Sequence, residues 1–252
     1  MNILFRASMV GKLMSEPRSK AEGPLSLGAK SAIRDMAAQQ ILGIEFEVSG
    51  RELEKGNECE PDSIALLNCV RGLSLAKNTE RRSDGYLTGE CDLYDPAARD
   101  GYDLKTAWSA ATFPILPEDI GGSQRTLYEW QCRAYMALWD APRWHIAYAL
   151  VNTPERLIGY EPQSMHFFDH IPEHMRLTVW TIDRDAAKEA AMREKVVHAR
   201  AYYAEVVAEF DRTHKQRAAA PTTPPWEPAT APTPAAVQAP TVAPGAIPAA
   251  AF

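Results

Sequence analysis

Two aspartates and a lysine stand close together near the middle of the chain. Asp92 lies in a short run of alternating apolar residues, and Asp103 and Lys105 lie in a second run of the same kind. Side chains repeat every second residue along a strand, so Asp103 and Lys105 share one face. Two carboxylates beside one ammonium group are costly to hold together unless a cation neutralises them. Magnesium prefers such oxygen ligands, and the set suits phosphodiester cleavage.

A polar turn joins the two runs and contains Asp95, Pro96, Arg99, Asp100 and Gly101. It predicts a hairpin that brings Asp92 opposite the other two groups. A D-x-K triplet alone is a weak signal, because short motifs recur by chance and charges across a hairpin commonly face water. The apolar residues around these charges predict buried strands, where a charged side chain needs a reason to be present.

The rest of the chain predicts an α/β (α+β) fold, in which helices flank a central mixed sheet. Predicted helices cover 8–14, 28–42, 124–139 and a long segment from Asp183 or Asp185 to about 214. A further helical segment, 50–71, opens with a capping box of Ser49 and Glu52 and is kinked or divided at Pro61. Predicted strands cover 73–79, 86–94, 101–108, 144–151 and 176–183.

Gly89-x-x-Asp92, followed by Asp103-x-Lys105, resembles the core of the PD-(D/E)XK nucleases, whose fold is restriction-endonuclease-like. Within that superfamily the chain is similar to the YqaJ-like viral recombination exonucleases of the lambda exonuclease type. Three further stretches occur in the same order as in that family. They are the G-x-x-x-E segment that ends at Glu60, the helix YEWQCRAYMALW that contains Gln131, and the N-terminal FRAS…PR element.

The resemblance implies a role for each matching residue. Glu60, Asp92 and Asp103, with the backbone carbonyl of Leu104, would hold one or two Mg²⁺ ions, for which Mn²⁺ could substitute. Lys105 would orient the attacking water or stabilise the phosphate, and Gln131 would position Lys105 or that water. The residues expected to contact DNA phosphates are Ser8 with Arg6 or Arg18 at the 5′ phosphate of a duplex end, and Arg81 and Arg82.

Two positions depart from the family pattern. Asp103 stands where the lambda-type enzyme has glutamate, so an ion would have to lie one methylene closer to this strand. Glu90 falls inside the G-x-x-D stretch and could compete with Glu60 as an additional carboxylate.

The implied activity is a metal-dependent DNA exonuclease that digests double-stranded ends 5′→3′ and leaves 3′ single strands for a phage annealing protein. The resemblance also implies a phage or prophage product that acts in a bacterial cytoplasm and that could assemble into a homo-oligomer. Two alternatives stay open: a structure-selective or restriction-like endonuclease, and a catalytically inactive protein that binds DNA ends. The presence of all four signature side chains argues against the inactive protein.

Composition limits the other possibilities. Cys59, Cys69, Cys91 and Cys132 form no C-x-x-C pair, and no late cysteine cluster follows, so we expect neither disulfides nor an iron–sulfur cluster. The sequence contains no run of about 18 apolar residues, so we expect no membrane span. It also has no recognisable signal peptide. The net charge of −6 requires that DNA binding depend on local basic patches.

The composition changes near residue 217. We expect a nuclease domain over 1–216 and a disordered Pro/Ala/Thr-rich tail over 217–252, in which Glu227 is the one charged side chain after Arg217. The tail either keeps the protein in solution or tethers a partner through Trp226 or the final Ala-Phe.

Overall fold

The computed structural model describes residues 3–46 and 49–219. The described part of the chain up to Arg212 forms one compact unit, and a second unit starts at Thr213. Most of the tail proposed for 217–252 lies outside the described residues, so that boundary stays a prediction. Among the residues described, no helix has the length and apolar character needed to cross a membrane.

Seven helices are found in this part of the chain, and most lie where the sequence predicts them. They are α1 (Ala7–Leu13), α2 (Leu27–Leu42), α3 (Arg51–Glu58), α4 (Glu60–Arg71), α5 (Arg125–Trp139), α6 (Glu155–Ile158) and α7 (Ala186–Ala219). The carboxylate of Asp185 accepts hydrogen bonds from the first backbone N–H groups of α7, which confirms Asp185 as its cap. The segment 50–71 divides into two helices at Cys59, just before Pro61.

One helix start was predicted wrongly. The capping box of Ser49 and Glu52 is not formed, because α3 begins after Gly50 and has no side-chain cap. A glycine N-cap leaves the first N–H groups of the helix without a side-chain acceptor.

The strands form two sheets. They are β1 (Phe5–Arg6), β2 (Arg81–Ser83), β3 (Leu87–Glu90), β4 (Leu93–Asp95), β5 (Asp100–Thr106), β6 (Arg143–Ala149) and β7 (Leu177–Asp183). One sheet has the order β1-β3-β2 and the other β4-β5-β6-β7. In the larger sheet β5 and β6 run parallel while the outer pairs are antiparallel, which confirms the predicted mixed sheet.

Two strand predictions need correction. No strand forms over 73–79, because the Asn68 side chain takes both backbone hydrogen bonds of Leu75 and leaves none for a strand partner. The predicted strand 86–94 is interrupted at Cys91 and Asp92, so β3 and β4 belong to different sheets. Asp92 therefore lies at the junction of the two sheets.

The main core lies between the sheets and α1, α2, α5 and α7. Trp144 of β6 is fully buried and stacks on Tyr135 of α5, with 5.2 Å between the ring centroids. Gly101 of β5 packs directly against the same indole, and a Cβ atom there would lie 2.2 Å from its ring. The core thus dictates a glycine two residues before Asp103.

We predict that Gly101→Ala destabilises the protein by about 1–3 kcal/mol, because the added methyl group overpacks the Trp144 site. Gly56→Ala is the matched control, since a Cβ there meets no atom within 4 Å. In helix α3 that change should stabilise by up to about 1 kcal/mol. Urea unfolding of both variants measures the two effects, and equal effects would contradict the packing argument.

Candidate active site

The hairpin of β4 and β5 brings together the three groups singled out in the sequence. Leu93 pairs with Tyr102 across the hairpin, which confirms the predicted turn. A carboxylate oxygen of Asp92 accepts a hydrogen bond from the backbone N–H of Leu104 at 2.7 Å. Asp92 is therefore held between Asp103 and Lys105, which flank Leu104 on the same strand.

The Asp103 carboxylate is buried and lies between a cation and an amide. Its Oδ2 atom is 2.8 Å from the Lys105 ammonium, and its Oδ1 atom accepts a hydrogen bond from the Gln131 amide at 3.1 Å. Gln131 also contacts the hydroxyl of Tyr135, one turn further along α5. We expected Gln131 to hold Lys105 or a water; the structure places its amide on Asp103 instead.

The charged groups in this cluster shift one another's pKa values. Burial and the nearby Asp103 carboxylate together raise the pKa of Asp92 to about 6, against the opposing effect of Lys105. Burial on its own lowers the pKa of Lys105, but the carboxylates of Asp103 and Asp92 outweigh burial and hold this pKa above its usual value. At neutral pH Lys105 is therefore an ammonium group and a hydrogen-bond donor.

Asp92 and Lys105 line a cleft of about 340 Å³, whereas Asp103 and Gln131 are not among its lining residues. Its walls come from α3, α4, α5, β5, β6 and the junction between the sheets, and they comprise Glu52, Leu53, Gly56, Asn57, Glu60, Asp92, Leu104, Lys105, Thr106, Tyr128 and Tyr148. Glu60, Asp92, Leu104 and Lys105 are thus in one cleft, as the sequence predicts.

A buried lysine fixes the α3 wall of the cleft. Lys55 is fully buried, and its ammonium donates to the carbonyl oxygens of Ala107, Trp108 and Val151 at 2.7–3.0 Å. Burial lowers the pKa of Lys55 to about 8. These carbonyls follow the ends of β5 and β6, so one side chain joins α3 to both strands.

The oxygen donors suit a hard divalent cation. Asp103 Oδ2 is buried, and the Lys105 ammonium, 2.8 Å away, neutralises it in the absence of a metal. No group of three or more His, Cys, Asp or Glu side chains within the described ranges is arranged to hold an ion. The carboxylate of Glu60, which lines the same cleft, is ion-paired with Lys77.

The competing carboxylate, Glu90, lies outside the cleft. It is ion-paired with Arg81 at 3.0 Å, on the paired strands β2 and β3. Of the two glutamates only Glu60 is among the residues that line the cleft.

The five residues expected to contact phosphate are not gathered in the cleft, and none of them lines it. Arg6 and Ser8 are exposed on β1 and α1. Arg18 lines a separate cavity of about 400 Å³ beside the start of α2. Arg81 and Arg82 are ion-paired with Glu90 and Glu80 respectively. Their role in DNA binding stays a prediction.

The sequence analysis missed two tyrosines and Lys55 around the site, and it did not predict the ion pair of Lys77 with Glu60. Tyr128 lies three residues before Gln131, so helical spacing could have placed both on one face. Tyr148 is the Cα partner of Lys105 across β5 and β6, and Lys55 and Lys77 act through contacts with distant segments. No local pattern reports such pairings.

A solved structure described as a phage-related exonuclease from Haemophilus somnus 129PT is 34% identical to this chain. The alignment covers 82% of this chain and 96% of that one, with a TM-score of 0.77. The chain belongs to this phage-related exonuclease family. The fold class predicted from the sequence, and the likeness to YqaJ and lambda-type exonucleases, are thereby confirmed.

A more distant member of the fold is an alkaline exonuclease from Laribacter hongkongensis, LHK-Exo. It is 16% identical over 85% of this chain and 93% of its own, with a TM-score of 0.59. A second structure of that enzyme is a complex with dAMP. No family model and no curated protein matches the chain. Membership of the exonuclease family therefore rests on the Haemophilus structure.

The raised pKa of Asp92 predicts a pH-dependent stability in EDTA. The folded carboxyl titrates near 6 and the unfolded one near 3.8, so the folded state holds the extra proton between these values. Stability should therefore fall as the pH rises through this window. Asp92→Asn removes that loss, so the free energy of unfolding of the variant should exceed that of wild type by more at pH 7 than at pH 4.5. Urea unfolding measures the gain.

Asp211→Asn, an exposed change on α7, is the control for this experiment. It should show the same small difference from wild type at both pH values. An equal gain for Asp92→Asn at pH 4.5 and pH 7 would contradict the assignment of a raised pKa.

Proposed function

We propose that this family member is a divalent-metal-dependent deoxyribonuclease that digests double-stranded DNA from its ends, 5′→3′. The observation that carries the proposal is the buried Asp103 carboxylate, held between Gln131 and Lys105, where Lys105 and Asp92 line an open cleft. The membership of an exonuclease family supports the activity. The direction of digestion follows from the resemblance of the sequence motifs.

Glu60, Asp92, Asp103 and the Leu104 carbonyl would hold Mg²⁺, with Mn²⁺ as a substitute. Such an ion lowers the pKa of a bound water and stabilises the charge that develops on the phosphate. The carboxylate set agrees with this role, because the buried Asp103 and the half-buried Asp92 share one lysine and are left with excess negative charge.

The side chains of this protein would do the positioning. The Lys105 ammonium donates hydrogen bonds to a non-bridging oxygen of the scissile phosphate, where negative charge develops. Gln131 holds the Asp103 carboxylate in one orientation, and the Leu104 N–H does the same for Asp92. Because Lys105 is protonated at neutral pH, it serves as a donor and not as the base that accepts the proton of the water.

The DNA would approach across the exposed basic residues. Ser8 with Arg6 or Arg18 would hold the 5′ phosphate of the duplex end, and Arg81 and Arg82 would exchange their glutamate partners for phosphates. The 3′ single strand would pass to a phage annealing protein in the host cytoplasm. A homo-oligomer would keep the enzyme on its substrate between cleavage events.

A linear duplex, labelled at one 5′ end, tests this activity in Mg²⁺ with and without a 5′ phosphate. A covalently closed circle serves as a parallel substrate. We expect mononucleotides from the phosphorylated linear duplex and no cleavage of the circle. Nicking of the circle would indicate an endonuclease, and binding without digestion would indicate an inactive end-binding protein.

Lys105→Ala should lower the rate of digestion about 10²–10³-fold, the usual cost of removing one donor to a transition-state oxygen. Asp92→Ala should abolish measurable digestion, while both variants should still bind duplex ends. The matched control is Lys195→Ala, since Lys195 lies on α7 and contacts the carbonyl of Pro24. Digestion at a normal rate by Asp92→Ala would overturn the proposed site.

Lys77→Met should strengthen the binding of Mn²⁺ about two- to fivefold, because it frees the Glu60 carboxylate from a partly exposed ion pair worth at most about 1 kcal/mol. Isothermal titration of the DNA-free protein measures this change. Lys195→Met should leave the affinity unaltered. Weaker binding by Lys77→Met would mean that Lys77 supports the metal site and does not compete with it.

A further inference from the structure

A second cavity, of about 390 Å³, adjoins the catalytic cleft. It is formed by the loop between β5 and α5 together with one residue of β6, and its walls are Ala111, Thr112, Phe113, Pro114, Ile115, Asp119, Gly121, Gly122 and Tyr148. Tyr148 also lines the catalytic cleft, so it is a wall common to both spaces. We propose that this cavity, which we name the base pocket, binds the base of the terminal nucleotide. This inference rests on the proposed nuclease function and names a subsite for it.

The position of Tyr148 connects the base pocket to the chemistry. Tyr148 and Lys105 are Cα partners on the parallel strands β5 and β6, about 4.8 Å apart in the sheet and on the same face. Tyr148 lines the catalytic cleft together with Tyr128, whose ring centroid lies 5.2 Å from the Lys105 ammonium. A nucleotide with its phosphate at Lys105 thus has Tyr148 beside its sugar and base.

The walls of the base pocket suit a base better than a phosphate. Phe113 and Tyr148 are aromatic, and Pro114 and Ile115 add apolar surface. Asp119 is the one charged side chain among the lining residues, and a carboxylate repels phosphate while accepting hydrogen bonds from amino groups. Stacking on aromatic rings accepts every base, because each base has a π face. An enzyme that degrades any sequence needs this tolerance.

The loop that forms the base pocket is fixed in place. The Arg125 guanidinium donates to the carbonyl oxygens of Pro117, Glu118 and Ile120 at 2.8–3.1 Å, and it lies 3.5 Å from the centroid of the Trp180 ring. Phe113 and Tyr148 both pack against one small cluster of buried residues, Ala107, Leu150 and Phe168. The pocket therefore exists before a ligand arrives, as binding sites commonly do.

The test compares the binding of dAMP with that of 2-deoxyribose 5-phosphate, which lacks the base, by isothermal titration in Mg²⁺. In the wild-type protein dAMP should bind about 5- to 150-fold more tightly, the ratio that corresponds to 1–3 kcal/mol of base stacking. Tyr148→Ala should lose most of this preference and keep its affinity for the sugar phosphate. Tyr148→Phe keeps the ring and should keep the preference.

Tyr160→Ala is the matched control, because Tyr160 is fully exposed in the turn after α6. Thermal unfolding of each variant checks that it is folded. An undiminished preference in Tyr148→Ala, or no preference in the wild type, would overturn the base pocket.

Digestion of the linear duplex by the wild-type protein separates this inference from the proposed function. Digestion without any preference for dAMP would support the nuclease function and contradict the base pocket. A preference that depends on Tyr148, without digestion, would support the pocket as a nucleotide site and overturn the nuclease.

Discussion

The structure of the site depends on one buried carboxylate. Asp103 lies in the middle of β5, where burial makes an unpaired charge costly, so Lys105 and Gln131 must both be present to hold it. Those two requirements fix the neighbouring elements. Gln131 requires α5 to cross β5 at this point, and the absence of a side chain at Gly101 lets Trp144 fill the space between sheet and helix. The chemistry and the core are therefore built from the same contacts.

Local patterns in the sequence predicted much of this arrangement. Periodicity and turn residues located the β4–β5 hairpin and helices α2, α5 and α7, because these elements are determined by neighbours a few residues apart. The pattern failed at 73–79, where the apolar residues pack beneath a loop and the side chain of Asn68 replaces a strand partner. It also joined β3 and β4, since apolar alternation does not report a change of sheet.

The parts of the site that depend on long-range pairing were harder to predict from the sequence. Asp92, Asp103 and Lys105 are close in sequence and could be assembled from a hairpin. The placement of Tyr148 depends on the register of parallel strands more than 40 residues apart, which no local signal encodes. Glu60 reached the cleft as expected, yet its ion pair with Lys77 follows from a loop path that the sequence did not predict.

The passage of the chain from one sheet to the other at Cys91 and Asp92 has a consequence for how this protein can evolve. β3 and β4 are each anchored by their own partners, so the two residues between them have a fixed length to span. One inserted residue there would turn Asp92 away from Asp103, because each step along a strand reverses the side-chain direction. Related chains should therefore agree in length between residues 89 and 93.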